Sequence, residues 1–427
     1  MDRKPKLGKR RRVFRYHARS RSLVLLCATG LLALGLFLSE LVLPPTASIS
    51  PHTTFDPWIR VALTNSPLRS LSLKSESPVT ITAANSNQML SQTEKLSLSE
   101  VIATSNGVRI GDLELPATRI ELRVEEDPGL WVNRHLYRGR VQIYRMKDGR
   151  LRVVNKVRLE DYLASVVDSE MPIEFGREAR IAQCIAARTY ALYQLSQRQT
   201  HPYFDLYANT RSQMYLGVEY PGPGGQRWAG ESRQSREIVN ETRGEVCTHN
   251  EQIFCTYFSA ACGGRTVEGR DLFSDAAAPV TQVDCEWCSD AKLHRWEHRL
   301  SLHRFLQQFD REQVLSSEGS IQLRDSAPSI LNVEPRDSIL LEQQGVVLEL
   351  QRYEIQQRLG ARLLPSPLFQ MKLEGEDVVF EGRGHGHGVG FCQWGARGQA
   401  QSGRDGRTIL QTYYPGTKVV RIVAPSQ

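Results

Sequence analysis

The sequence predicts an α+β fold: an antiparallel, β-rich domain with a few helices around a central cleft, preceded by one N-terminal transmembrane helix. Three observations support this prediction. Alternating apolar and polar residues form short runs after residue 58, two segments with helical periodicity follow them, and a long apolar run lies near the amino terminus. The 427 residues are enough for one large domain or two ordinary ones.

The amino terminus has the pattern of a membrane anchor. Residues 1–21 are rich in Lys and Arg, and residues 22–43 are almost all apolar. Such a length spans a bilayer, and basic residues before it are retained in the cytoplasm. A cleaved signal peptide is the alternative, but the apolar run is long for one and residues 46–48 (Thr-Ala-Ser) form only a weak cleavage site. We therefore expect a single-pass protein of the cell membrane with its domain on the extracytoplasmic side.

The charge distribution argues against a nucleic-acid partner. The net charge is +7, but much of the excess lies in the basic segment, and the remainder of the chain is close to neutral. Residues 44–57 are rich in Pro, Thr and Ser and are predicted to be a linker. The folded domain is then expected over residues 58–425.

The elements of this domain follow from local patterns. Alternating runs near residues 118–124 and 139–144 predict strands, and Asp148-Gly149 predicts a hairpin turn. Helical spacing after Leu159 predicts a helix that ends at Pro172, and a second, Ala-rich helix follows. Residues 239–258 are predicted to form strands, and residues 302–309 a short helix.

Two charged residues lie on the apolar faces of the two helices. Glu170 follows Val166 by four residues, and Arg188 follows Cys184 by four, so both fall on stripes expected to be buried. Because unpaired buried charge is costly, one interpretation is a salt bridge that joins the helices. The other makes Glu170 a general acid whose pKa is raised by burial, with Arg188 holding a substrate.

A glycine-rich segment and a set of cysteines are further candidates. In residues 382–390 glycines alternate with His385 and His387, which allows close backbone approach and favours hydrogen bonding by the histidines over metal binding. A Cys-x-x-Cys pair occurs near another cysteine and a histidine, and either a structural zinc site or a disulfide would explain it. The candidate metal ligands are Cys262, Cys285, Cys288 and His294.

Several segments together resemble the stage II sporulation protein D (SpoIID/LytB) family. They include residues 154–163, Ser-Glu-Met-Pro at 169–172, Ala-Ala-Arg-Thr-Tyr at 186–190 and Ser-Gln-Met-Tyr-Leu-Gly at 212–217. The further matching segments, in chain order, are 241–245, 263–266, 386–390, 393–396 and 413–417. The similarity spans roughly residues 60–420, and the motifs occur in the order that is typical of the family.

The resemblance implies a lytic transglycosylase that cleaves peptidoglycan glycan strands lacking stem peptides and leaves 1,6-anhydro-N-acetylmuramic ends. Glu170 falls at the family's catalytic acid, and no cofactor is required. The residues that the resemblance places in the substrate site are Arg188, Gln213, Tyr215, His387 and Gln393. One carboxyl group suffices for this reaction, whereas an ordinary glycoside hydrolase uses two.

The sequence departs from the family at two places. His385 stands where the family usually has Trp, and Arg211-Ser212 replace a His/Cys zinc set that some members carry. Two alternatives to the enzyme remain open. One is a non-catalytic glycan-binding modifier that stimulates a cell-wall amidase, and the other is a structural protein of the septum.

Overall fold

The computed structural model describes residues 12–15, 55–124, 129–197, 201–273, 279–309, 315 and 320–422. The predicted anchor, residues 22–43, lies outside this range, as do most of the basic segment and the linker. Among the helices of the described residues, none is long and apolar enough to cross a bilayer.

The chain is rich in strands, numbered β1 to β27 in chain order. They are Arg12–Arg15, Trp58–Ala62, Ser70–Ser75, Val79–Ala83, Gln88–Thr93, Leu96–Ala103, Val108–Ile110, Leu113–Leu115, Arg119–Val124, Leu130–Val132, His135–Tyr137, Arg140–Arg145, Leu151–Arg158, Leu206–Tyr207, Glu219–Pro221, Arg227–Ala229, Glu245–His249, Gln252–Ile253, Phe258–Ser259, Arg295–Ser301, Gln322–Asp325, Ser338–Gln343, Val346–Gln351, Phe369–Glu374, Asp377–Arg383, Phe391–Cys392 and Lys418–Arg421. The helices α1 to α8 are Leu159–Glu170, Arg177–Ser196, Arg233–Glu241, Gly269–Leu272, Leu302–Phe309, Arg352–Leu359, Gln393–Gln401 and Gly406–Tyr413.

The chain forms two compact units. The first unit contains the described residues up to 256, from 55 onward, together with 400–411 and 416–422. The second unit contains residues 257–399 and 412–415, and the backbone of β1 pairs with its strand β23. The predicted domain of residues 58–425 spans both units.

The first unit is built on two large sheets. One has the strand order β16-β15-β11-β10-β3-β6-β7-β8 and the other β14-β2-β13-β12-β9-β4-β5, and only the β14–β2 pairing of these described strands is parallel. The predicted hairpin joins β12 to β13, where Gly149 has a φ of 73° and Met146 N–H donates to Arg150 O at 2.7 Å. The antiparallel, β-rich prediction is confirmed.

Helices α1, α2 and α3 pack together in the first unit. Every residue of α2 from Ala179 to Leu192 is buried, which the many small alanines permit because they let neighbouring backbones come close. The sequence predicts strands over residues 239–258. This prediction is wrong for residues 239–241, which form the end of α3. The strong amphipathic pattern of that helix begins six residues earlier, behind a serine cap.

The second unit has its own hydrophobic core. It consists of buried side chains from a three-stranded sheet (β20-β25-β24), a second sheet containing β21 to β23, and the helices α5 and α6. Phe305 and Phe309 of α5 stack at 4.6 Å between ring centroids, and the helix occupies Leu302–Phe309 as predicted.

The cap of α3 allows a test of local stability. The Ser232 hydroxyl accepts from Ser235 N–H, and the Ser235 hydroxyl accepts from Ser232 N–H, each at 3.0 Å. Removing the first acceptor leaves a helix N–H without its partner, so Ser232→Ala should lower the free energy of unfolding by about 1 kcal/mol in urea titrations. Arg233→Ala, at an exposed neighbouring position, should change it by less than about 0.5 kcal/mol. Equal effects of the two changes would contradict the cap's role.

Candidate functional site

Glu170 is the last residue of α1 and is half-buried. Its Oε1 accepts a hydrogen bond from Met214 N–H at 2.6 Å, so the structure brings together the predicted acid and the Ser-Gln-Met-Tyr segment. A charge-assisted bond to a backbone donor holds a carboxyl group in one orientation. The carboxyl group therefore lies at the helix end, oriented by a loop 44 residues further along the chain.

Two other acids of α1 are engaged in ion pairs with α2. Asp168 pairs with Arg180 and also accepts from Ser232 N–H. Glu160 is buried and pairs with Arg188. These two carboxylates are committed to holding α1 against α2 and α3, which leaves Glu170 as the half-exposed carboxyl group at the end of this helix.

Arg188 is buried in an ion pair, and its predicted contact with substrate stays a prediction. Its side chain is 0% exposed, and its Nε and one terminal nitrogen donate to the two oxygens of Glu160 at 2.9 and 2.8 Å. Other donors reach Glu245 O and the Thr242 hydroxyl. Burial by itself would lower the pKa of Arg188, but the nearby Cys184 and Glu160 outweigh it and raise the pKa above its usual value. The salt bridge between helices exists, with Glu160 rather than Glu170.

Gln213 and Tyr215 are also buried, and their predicted place in the substrate site stays a prediction. Gln213 is fully buried, accepts from the Tyr162 hydroxyl at 2.9 Å and donates to Ala187 O at 3.3 Å. The Tyr215 hydroxyl donates to Asn155 at 2.8 Å, and burial raises the pKa of Tyr215 well above its ordinary value. The two side chains anchor the loop on either side of Met214, so they position the donor to Glu170.

The glycine-rich segment lies in the second unit. Gly384 has a φ of 77°, and a Cβ there would come within 2.5 Å of Ala261 O. Gly390 has a φ of 70°, and its Cβ would come within 2.2 Å of Tyr257 O. The predicted close approach of this backbone to another strand is therefore present, and no side chain could be accommodated at these positions without displacing backbone.

His387 is held by hydrogen bonds within its own segment. Its Nδ1 accepts from Val389 N–H at 3.0 Å, so the imidazole is neutral with this nitrogen unprotonated. Its ring contacts the stacked pair Tyr257 and Phe273 at their edges. Burial lowers the pKa of His387 to about 4, although a hydrogen bond to the Phe258 backbone opposes the shift. His385 is exposed and pairs with Ala261 through its backbone.

This geometry predicts a pH dependence of stability. The folded pKa of His387, about 4, lies below the ordinary value of about 6.5, so the unfolded state binds the extra proton between these values. The free energy of unfolding should therefore fall as the pH drops from about 6.5 to 4. Urea titrations of the parent and of His387→Asn, which does not titrate, should converge over this window.

Glu334 changes the free energy of unfolding with pH in the opposite direction to His387. Comparing the parent with His387→Asn cancels the contribution of Glu334. Burial raises the pKa of Glu334 to about 7, so its contribution is present at low pH and is lost as the pH rises from about 4.5 to 7. Both proteins contain Glu334, so the difference between them reports His387 alone. Parallel pH profiles would contradict the role given to His387.

Gln393 and four of the described cysteines lie in the second unit. Gln393 is the first residue of α7, is 6% exposed, and directly follows Cys392. The sulfur atoms of four buried cysteines lie within 4.8 Å of one another: Cys262, Cys285, Cys288 and Cys392. We call this group the thiol cluster. Cys392 takes the fourth place that the sequence had suggested for His294, whose Nδ1 lies 3.5 Å from Cys288 Sγ.

The missed residues are separated from their partners by long stretches of chain. Glu160 looked like an ordinary acid in the first turn of a helix, and Cys392 is 104 residues from Cys288. The Cys-x-x-Cys spacing identified half of the thiol cluster. Cys262 was a candidate because it precedes the pair, but no local pattern indicates Cys392.

Comparison with known proteins places these features in a family. A family model described as stage II sporulation protein (SpoIID) matches residues 147–249, a segment that contains Glu170 and the helices α1 to α3. An uncharacterised protein of Brachyspira hyodysenteriae is 31% identical over 297 residues, which cover 69% of this chain and 75% of the relative.

Two relatives from Bacillus subtilis have descriptive names. Stage II sporulation protein D is 26% identical over 275 residues, covering 62% of this chain and 75% of the relative. A protein named amidase enhancer is 25% identical over 298 residues, covering 60% of this chain and 40% of the relative. Both names fit a role related to the cell wall. Because the family model matches the segment that contains Glu170 and α1 to α3, and the relatives are similar over most of the chain, the chain belongs to the stage II sporulation protein D (SpoIID/LytB) family.

Proposed function

We propose that the chain is a peptidoglycan lytic transglycosylase in which Glu170 acts as general acid and then as general base. The observation that carries the proposal is the half-exposed carboxyl group at the end of α1, oriented by Met214 N–H at 2.6 Å. It lies within the segment that matches the family model. A positioned carboxyl group of this kind can exchange a proton with a sugar oxygen.

The state of two other acids of α1, Glu160 and Asp168, supports a reaction with one carboxyl group. Hydrolysis of glycosides ordinarily needs a second carboxyl group as nucleophile or base. Glu160 and Asp168 are bound to Arg188 and Arg180, and neither is available to activate water. An intramolecular attack by the substrate removes the need for a second carboxyl group.

The reaction conserves atoms without added water. Glu170 donates a proton to the glycosidic oxygen between N-acetylmuramic acid and the next sugar, and the bond from C1 to that oxygen breaks. The 6-hydroxyl of the same muramic residue attacks C1 and returns its proton to Glu170. The products are a 1,6-anhydro end and a new 4-hydroxyl end, and the carboxyl group is regenerated.

The setting of this activity is part of the proposal. The substrate is the glycan strand, stripped of stem peptides, and the enzyme acts on the extracytoplasmic side of the cell membrane. The apolar residues 22–43, preceded by the basic segment, would anchor it there. Such a location limits the enzyme to wall material within reach of the membrane.

The product separates this proposal from hydrolysis. The full-length chain is incubated with denuded glycan strands in ¹⁸O-labelled water, and the fragments are analysed by mass spectrometry. We expect muramic ends that lack the mass of one water and contain no label. Labelled reducing ends would show hydrolysis and overturn the transglycosylase.

A second function, stimulation of a cell-wall amidase by a bound but uncleaved glycan, is favoured by two observations. One relative is named amidase enhancer. In the first unit, Trp228 is 44% exposed, an aromatic surface of the kind that stacks on sugars. Co-sedimentation with denuded glycan, without fragments but with faster amidase turnover on intact wall, would establish this function in place of cleavage.

A further inference from the structure

The thiol cluster is a set of metal-binding side chains that the proposed glycan chemistry does not use. Its members come from three places in the second unit: the loop at Cys262, the turn from Cys285 to Cys288 and the end of β26 at Cys392. Each cysteine is at most 1% exposed. Thiolates are the preferred ligands of zinc in closed, structural sites.

The spacing of the sulfur atoms fits a single ion. A zinc–sulfur bond of about 2.3 Å in a tetrahedron places neighbouring sulfurs about 3.8 Å apart. Cys262 Sγ and Cys288 Sγ lie 3.7 Å apart, and every pair within the thiol cluster lies within 4.8 Å. A disulfide needs sulfurs about 2.05 Å apart, so the recorded geometry is that of unbridged thiols.

The surroundings of the sulfurs donate hydrogen bonds to them. Cys392 Sγ accepts from Cys262 N–H and Gly395 N–H, both at 3.3 Å. The Tyr413 hydroxyl lies 3.2 Å from Cys285 Sγ. Thiols are weak acceptors, whereas thiolates are strong ones, and donors of this kind orient and stabilise metal-bound sulfur.

A buried cation lies beside the thiol cluster. Arg383 is 0% exposed, and its guanidinium donates to Cys262 O and Arg265 O at 2.5 Å. Among the described residues it forms no salt bridge with a carboxylate; its remaining hydrogen bonds go to Ile330 O and Leu331 O. The Glu334 carboxyl group interacts with the guanidinium electrostatically, but burial raises the pKa of Glu334 to about 7, so this compensation is incomplete at neutral pH. Buried charge without full compensation is costly. A zinc ion with four thiolates has a net charge of −2, and this charge would offset the guanidinium.

We propose that the thiol cluster binds one zinc ion through four thiolates. The inference goes beyond the proposed glycan cleavage and does not rest on it. The site lies apart in sequence from residues 211–212, where some relatives have a His/Cys set. His294, with its Nδ1 3.5 Å from Cys288 Sγ and 3.1 Å from Cys288 O, would support the ligand Cys288 as a neighbour rather than bind the ion.

The ion would fasten α7 to two loops of the second unit. Cys392 directly precedes Gln393, the first residue of α7, and Trp394 N–H donates to Ala260 O at 3.0 Å. Gly395 faces the site so closely that a Cβ would meet Cys285 Sγ at 2.6 Å. Zinc would therefore hold the start of α7, including Gln393, in a fixed position.

The metal content of the full-length chain tests the site directly. Plasma mass spectrometry should find one zinc ion per chain. A mercurial thiol reagent should release this zinc as it modifies the thiols, and a chromogenic chelator measures the released zinc. Exchange with cobalt(II) should give thiolate-to-cobalt charge-transfer absorption and tetrahedral visible bands. These measurements on the parent protein do not depend on how any variant folds.

Variants locate the ion. Cys288→Ser should reduce zinc to less than about a tenth per chain, whereas Cys247→Ser, a buried cysteine of the first unit, should retain it. Cys392→His should also retain zinc, because three thiolates and an imidazole form a familiar zinc site. A metal-free parent with two fewer alkylatable thiols would show a disulfide and overturn the proposal. Bound iron, or full zinc content in Cys288→Ser, would overturn it as well.

Discussion

Glu170→Gln should lower the rate of glycan cleavage by about 10³-fold, while the free energy of unfolding changes by less than about 1 kcal/mol. The amide has nearly the same shape, and its oxygen can still accept from Met214 N–H, but it cannot deliver or remove a proton. The loss should therefore appear in kcat, with binding of denuded glycan retained. Rates come from chromatographic quantification of anhydro-ended fragments.

A matched control separates this effect from a general loss of charge. Glu174 lies four residues further on, is exposed, and belongs to the 3₁₀ turn Ile173–Phe175. Glu174→Gln should leave the cleavage rate within about twofold of the parent. Full activity in Glu170→Gln would refute the role of Glu170 as acid, and equal losses in both variants would point to charge instead of proton transfer.

Arg188→Met should lower the free energy of unfolding by about 3–5 kcal/mol, measured by urea titration. The change leaves Glu160 buried at 3% exposure without its cation, and it removes donors to Glu245 O and Thr242. Glu160 is in α1, Thr242 directly follows α3, and Glu245 is the first residue of β17. The substitution therefore removes a contact that these elements share. Gln213 donates to Ala187 O, next to Arg188, but the hydrogen bonds of the Arg188 side chain itself go to Glu160, Glu245, Val239, Thr242 and Cys184. The urea titration therefore tests folding and not substrate binding.

Two comparisons give this prediction its controls. Arg177 is on α2, like Arg188, and forms an exposed pair with Glu241 of α3; Arg177→Met should cost less than about 1 kcal/mol. The double change Glu160→Leu with Arg188→Met removes both charges and should recover part of the loss, because no unpaired charge remains. A cost below about 1 kcal/mol for Arg188→Met would show that the pair contributes little. Wild-type stability with impaired glycan binding would support the substrate role predicted for Arg188.

Local patterns in the sequence were sufficient for the class of fold. Alternation predicted the β-rich first unit, Asp148-Gly149 predicted the hairpin, and helical spacing predicted α1 and α2. These predictions succeed because each pattern reports on the environment of residues only a few positions apart. Helix α3 was not predicted because it has only nine residues, of which Ser235, Ile238 and Val239 are buried, so its periodic pattern is short.

The sequence by itself determined the family and the position of Glu170 at the end of a helix. Only the tertiary structure decided that Arg188 pairs with Glu160, that Gln213 and Tyr215 face the interior, and that Cys392 completes the thiol cluster. Helical spacing shows which side of a helix a charge lies on, but it does not show which distant group lies opposite. Burial makes a charge or a thiol require a partner, and the path of the chain through space determines which residue provides it.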